Sequence, residues 1–238
     1  MKRRVLLSWS SGKDCAWTLY TLRQDPAVEV VGLLTTVDAT HQRVAMHSTR
    51  REIVEAQARA AGLPLYVVPL PWPCPNGVYE QAMRTATEDA VERGTTHIAF
   101  GDLFLEDVRA YRIRNLQGSG LAPLFPLWKQ PTDQLARKMI AAGVDTVLTC
   151  VDLKKLPASF AGRRFDLGLL ADLPPGVDPC GENGEFHTCV LAGPMFPRRI
   201  PAEVGERAER DGFCFADLTP AAVGEPGNPT RPKTGKTT

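Results

Sequence analysis

At 238 residues the chain is long enough for one large domain, or for a medium domain with a smaller annex. Its net charge of +1 sets up no global field toward nucleic acid or an anionic membrane, which disfavours a dedicated nucleic-acid binder. No run approaches the ~20 apolar residues that span a bilayer, and the apolar run Val5–Leu7 after the basic start is too short for a secretory signal.

In chain order, "VLLSW" (5–9) reads as a short buried strand and "CAWTLYTLRQ" (15–24) as a helix with apolar residues at helical spacing. The β-branched run 28–37 is a second strand. A helix over 48–62 follows, with Thr49 and Glu52 spaced as a capping box and Gly62 then Pro64 as a stop. Residues 63–70 are a third strand, 79–94 a helix ending at Gly94, and 96–102 a fourth strand. Arg109, Arg112 and Arg114 lie in a further helix. Strands alternating with helices of this length predict a doubly wound parallel sheet over residues 1–130, with its ligand at the carboxyl ends of the strands. A helix over 131–143, with a Thr132 cap and a Gly143 stop, leads into a strand over 144–152. From 157 to 201 the chain is richer in Pro and Gly and the alternation breaks down, so 131–218 is expected to be a smaller second domain. The stretch 219–238 lacks apolar periodicity and is expected to be disordered.

Six cysteines (Cys15, Cys74, Cys150, Cys180, Cys189, Cys214) form no C-x-x-C pair, which argues against structural zinc. With no export signal they read as reduced thiols of a cytoplasmic protein.

Two stretches carry chemistry. "SWSSGKDC" (8–15) is a polar turn between the first strand and the first helix. It is not a Walker A loop, because Leu7 stands where the first glycine belongs and Asp14 follows Lys13. The tail "TGKTT" (234–238) imitates Walker A without a preceding glycine or a following helix, and is a decoy. Converging N–H groups, the helix dipole, the hydroxyls of Ser10 and Ser11, the close approach allowed by Gly12 and the Lys13 cation together suit pyrophosphate; a capped helix start with an exposed lysine is the plain alternative. The second stretch, "DPCGENGEFHT" (178–188), gathers carboxylates, an amide, a histidine and a threonine around Gly181 and Gly184. Such polarity is costly to bury unless it binds something, although "ENGE" also suits a solvated hairpin turn.

"SSGKDC" resembles the S-G-G-x-D-S loop of the PP-loop ATP pyrophosphatases, with Ser11 in place of glycine and Cys15 in place of the final serine. "GENGEFHT" resembles the G-E-x-G-E-[FY]-H-T signature of the diphthine–ammonia ligase family. "GDL" (101–103), "PLFPLW" (123–128), "FAGRRFD" (160–166) and "GPMF" (193–196) fall in that family's order, so the resemblance covers nearly the whole chain. It implies a Rossmann-like PP-loop (HUP) α/β domain with a smaller C-terminal α+β substrate domain. It also implies ATP and Mg²⁺ as cofactors and an adenylating ligase that joins ammonia to a carboxylate, with pyrophosphate and AMP released. On this reading Ser8, Ser10, Ser11, Gly12, Lys13, Asp14 and Cys15 hold the phosphates, with Asp14 also the metal-side carboxylate. Thr35 and Thr36, His47 and Gly101 lie around the nucleotide, and Asp102 lies at the reacting centre. Arg109, Glu182, Asn183, Glu185, His187 and Thr188 face the substrate, with Glu182, Glu185 and His187 the groups for deprotonating ammonium. The expected partners are ATP, ammonia and a carboxylate acceptor, without membrane or nucleic acid, and a homodimer stays open. A PP-loop sulfur transferase acting on tRNA and a nucleotide-binding protein without turnover are the alternatives.

Overall fold

The computed structural model describes residues 1–221. The N-terminal part alternates β1 (Arg3–Ser8), α1 (Lys13–Arg23), β2 (Val28–Asp38), α2 (Arg51–Ala61), β3 (Leu65–Leu70), α3 (Asn76–Glu92), β4 (His97–Ala99), α4 (Glu106–Leu116) and β5 (Ala122–Leu124). All five strands are parallel, in the order β3-β2-β1-β4-β5. The chain order reverses at β1, so the crevice beyond the carboxyl ends of β1 and β4 is where such a sheet binds ligands.

The alternation expected from the sequence is present, with local corrections. β5 was not expected as a strand: Pro123 lies within it, tolerated at a sheet edge. The Thr49–Glu52 capping box does not form, because α2 has Arg50 at its N-cap with no side-chain bond and the Thr49 hydroxyl meets Ser11 instead. Thr132 likewise does not cap α5 (Thr132–Ala141); it is the first helical residue, after Pro131. Gly62 does end α2, in the left-handed conformation at φ 66° that glycine adopts without strain.

Beyond α5 the chain builds an antiparallel sheet from β6 (Asp145–Asp152), β7 (Phe186–Ala192), β8 (Ala202–Arg210) and β9 (Phe213–Pro220), in the order β7-β6-β9-β8. The short helix α6 (Leu167–Asp172) is capped by Asp166, whose carboxylate accepts the Leu169 N–H at 2.7 Å. The expectation of disorder from 219 onward fails at its start: Thr219 and Pro220 pair with Glu203 and Ala202 in the sheet. The rest of that stretch lies outside the described residues.

Period-2 alternation sends Val5 and Leu7 of β1 to one face and Leu6 to the other. The first face joins α1, α2, α5 and the antiparallel sheet in one continuous core. The second is a smaller core under α3 and α4. Among the described residues, no helix is long and apolar enough to cross a membrane.

Candidate active site

Between the end of β1 and the start of α1 the loop passes through Ser11 at φ 75°, a conformation glycine adopts freely and serine adopts at a cost of about 1–2 kcal/mol. Tertiary bonds hold it there. The Ser11 carbonyl accepts the Val190 N–H at 2.9 Å and Gln57 Nε2 at 3.1 Å, and its hydroxyl meets Thr49 Oγ1 at 2.8 Å. Gln57 is fully buried and satisfied, since it also accepts Trp9 Nε1 at 2.9 Å and donates to the Val190 carbonyl at 2.7 Å. The sequence signal for Gln57 was a polar residue on the stripe formed by Ile53, Val54, Ala58 and Ala61. A Cβ on Gly12 would lie 2.9 Å from His47 Cε1, and one on Gly101 would lie 2.9 Å from the Asp14 backbone carbon. Both glycines are therefore required by close approach. Cys15 donates its thiol to the Gly12 carbonyl at 3.1 Å and accepts from Ser10 Oγ at 3.5 Å. Burial pushes that thiol up to about 11, so it stays protonated.

Lys13 does not extend into the loop. Only 2 % exposed, it places Nζ 3.0 and 2.8 Å from the two Asp14 carboxylate oxygens and donates to the Cys180 carbonyl. The rings of Phe165 and Phe186 lie 5.6 Å away on either count. Its backbone N–H donates to Thr188 Oγ1 at 3.1 Å. Burial alone would lower the lysine, but Asp14 outweighs it, with help from Cys180 and Glu182, and holds it a cation. Burial works to raise Asp14, and the Lys13 ammonium opposes it.

The 178–185 segment is a compact knot rather than a solvated hairpin. The Asp178 carboxylate accepts the N–H groups of Cys180 and Glu182, both at 3.0 Å, an Asx-type turn that adds Asp178 to the residues shaping the segment. Glu185 is 2 % exposed; its Oε1 accepts Asn183 Nδ2 at 3.1 Å and the Asp178 N–H at 3.2 Å, while Oε2 has no partner among the described residues. Glu182 reaches across to the loop between β4 and α4, where Oε1 accepts the N–H groups of Leu103 at 2.7 Å and Phe104 at 3.4 Å. Burial pushes Glu182 up to about 7, the Leu103 N–H opposing and the Asp14 charge adding.

His47 and His187 stack with ring centroids 4.7 Å apart. His47 Nδ1 lies 3.0 Å from the Thr188 carbonyl, which can only accept, so Nδ1 carries the proton. Burial brings His47 down to about 4, and burial with its neighbours His47 and Lys13 brings His187 down to about 3. Both rings are neutral at pH 7.

Beside the loop opens a cavity of about 580 Å³ at the carboxyl ends of β1, β2 and β4. Ser8, Ser10, Thr36 and His47 line it, and Arg84 and Tyr79 of α3 join them. Thr35 does not line it; strand alternation turns it to the opposite face, buried with Oγ1 unpartnered among the described residues. Asp102 is forked by Arg112, with Nε 2.6 Å from Oδ2 and Nη2 3.0 Å from Oδ1, and Arg112 rather than Arg109 lines the cavity. Arg109 instead lies over Phe125 and Trp128, at 5.2 and 4.9 Å from the ring centroids. Among the described residues, no three His, Cys, Asp or Glu side chains form a metal-holding group. Burial pushes Cys180 and Cys189 to about 12, far from the thiolate state a sulfur relay needs.

The chain matches two family models, described as the diphthamide synthase N-terminal domain over residues 1–120 and the diphthamide synthase C-terminal domain over residues 131–218. Among curated proteins it is similar to the diphthine–ammonia ligases of rat, 28% identical over 125 residues, and human, 29% over 120 residues; each match covers 48% of this chain and 45% of the relative. The zebrafish diphthine–ammonia ligase is 30% identical over 121 residues, with 47% of its length covered. The chain thus spans about half the length of the curated relatives it matches.

Proposed function

Because the chain belongs to the diphthamide synthase family, we propose that it is an ATP-dependent ligase that amidates a carboxylate through an acyl-adenylate. One observation carries this reading. The 10–15 loop and the 178–188 segment, far apart in sequence, meet through Lys13 on the Cys180 carbonyl and on Thr188, beside a cavity large enough for a nucleotide.

The chemistry needs activation because a carboxylate oxygen is a poor leaving group toward ammonia. The acceptor carboxylate attacks the α-phosphorus of ATP; the new P–O bond forms as the bond to the β-phosphate oxygen breaks, and pyrophosphate leaves with the electron pair. Ammonia then attacks the acyl carbon, the C–O bond to AMP breaks, and one proton is released overall. The α1 N-terminus and the loop around Ser10–Gly12 face the departing pyrophosphate. Asp14, expected from the sequence on the metal side, has both oxygens on the Lys13 ammonium, so a nucleotide-borne Mg²⁺ would be held through the phosphates and water and would supply charge neutralisation there. Glu182, with its value near 7, is suited to take a proton from ammonium. Diphthine, named in the relatives' description, is the first acceptor to test, ahead of small free acids.

The test is incubation with α-labelled ATP, Mg²⁺, ammonium and the acceptor. AMP, pyrophosphate and amide are expected; ADP as the nucleotide product sinks the reading. In the wild type kcat/KM should rise with pH through about 7, and Glu182→Gln should remove that limb together with most of the turnover.

A further inference from the structure

Lys13 occupies a place that an ordinary phosphate-binding lysine does not. Its Nζ is enclosed by both Asp14 oxygens and the Cys180 carbonyl, with the faces of Phe165 and Phe186 each 5.6 Å away. Carboxylate and carbonyl accept N–H bonds, and aromatic rings within about 6 Å attract a cation to their faces. Every wall of this cage therefore recognises an ammonium group as such. A free ammonium ion presents the same compact, strongly hydrated charge as the lysine head group, with a fourth N–H donor where lysine has its stem.

The cage also has a solvent-facing wall and a neighbour. Asp14 keeps 27% of its side chain exposed, so solvent reaches the carboxylate that forms this wall. Glu182 adds its charge to the Lys13 site and is anchored by the Leu103 N–H through Oε1. Lys13 is meanwhile the first residue of α1, immediately after Gly12, with its stem rooted at the phosphate loop. It cannot serve the cage and the phosphates at once. A bound triphosphate carries several negative charges against the single charge of Asp14, and so competes for the same cation.

We propose that this cage is the ligase's ammonium-ion site, occupied by Lys13 until nucleotide in the loop draws the lysine to its phosphates; the inference rests on the ligase reading above. It orders the reaction. Ammonium enters only after ATP, and is then held beside the adenylating loop rather than drawn from bulk solvent. Lys13 acts as a gate as well as a phosphate ligand.

The experiment follows thermal unfolding of the full chain in ammonium chloride, against sodium, potassium and tetramethylammonium chlorides at equal ionic strength. In Lys13→Ala the vacated cage should bind free ammonium, raising Tm saturably by about 2–5 °C over the sodium control. Adding Asp14→Asn to that variant should abolish the rise. Should Lys13→Ala not fold, the wild type decides: no ammonium-specific shift without nucleotide, and a shift appearing with an ATP analogue that cannot be cleaved between the α and β phosphates. In turnover, Phe165→Leu should raise KM for ammonium about threefold to tenfold while KM for ATP stays constant. Equal shifts with potassium and ammonium overturn the proposal, as does an ammonium shift in the wild type that ignores the analogue. AMP, pyrophosphate and amide formed without any ammonium-specific shift would remove the cage and leave the ligase reading standing. ADP as product would remove both.

Discussion

On the α1/α2 face of the parallel sheet, Val5, Leu7 and Leu33 are fully buried and join a core that continues through Met139 and Leu148 into the antiparallel sheet. On the α3/α4 face the core is small, only Thr87 and Ala90 of the 17-residue α3 are buried, and cavities of about 580 and 380 Å³ flank the helix. The difference follows from what each face must do. The packed face fixes the phosphate loop from behind, through Gln57, Thr49 and Val190. On the proposed reading the open face admits a nucleotide, and helices that seal a core tightly leave no room for one. Rigidity behind the loop and looseness in front of it are complementary, as preorganisation of a charged site requires.

The largest break in this arrangement is expected from acid. His47 and His187 have folded-state values of about 4 and 3, below their ordinary 6.5, so the unfolded chain binds the extra protons. Their contribution is complete above about pH 6.5 and is lost as pH falls from there toward 4, because charging either ring buries a cation and places it beside the other imidazole and the Lys13 ammonium. Urea unfolding at a series of pH values between 4.5 and 7.5 should show stability falling steadily on the acid side. His187→Phe, which keeps the ring and removes the titration, should flatten that slope; an unchanged slope would show the rings solvated rather than buried.

A smaller break, local to the packed face, comes from Gln57→Leu. The side chain is nearly isosteric, but the change strands the buried Trp9 Nε1 donor and the Val190 carbonyl and frees the Ser11 backbone from one of its two restraints. A loss of about 2–4 kcal/mol in chemical unfolding is expected, with weaker nucleotide binding because φ 75° at Ser11 is no longer enforced. Full retention of both would mean that the loop holds its shape unaided.

Much of this was legible from the sequence where the signals are local. β1 to β4 announce themselves as β-branched or aliphatic runs between glycine and proline stops, and both chemical loops stand out as dense polar turns. β5 was hidden by its proline, and β8 by a polar sequence, "AEVGERAER", that fits an exposed edge strand and shows no apolar alternation. What no local pattern shows is which loops meet. The Lys13 head group finds its carbonyl 167 residues away, whereas spacing alone offers it either as a phosphate ligand or as an exposed lysine at a capped helix start. Arg109 and Arg112 share a helix face, and only the positions of Asp102, Phe125 and Trp128 separate the one that lines the cavity from the one stacked on aromatics.

The contrast between the faces can be sharpened with one substitution made twice. Ala58 on α2 is 3 % exposed within the continuous core, and Ala86 on α3 lines the cavity of about 380 Å³. Leucine at either position adds the same volume to a helix of similar propensity, so helix formation cancels from the comparison. At Ala58 the added atoms have no space and must displace packed neighbours, for a cost of about 1–3 kcal/mol. At Ala86 they enter existing space and replace cavity with contact, so stability should stay within about 0.5 kcal/mol of the parent. Chemical unfolding of the two variants measures the gap directly. Equal costs would mean that α3 is seated as tightly as α2, and that the openness of the nucleotide face does not extend beneath the helix.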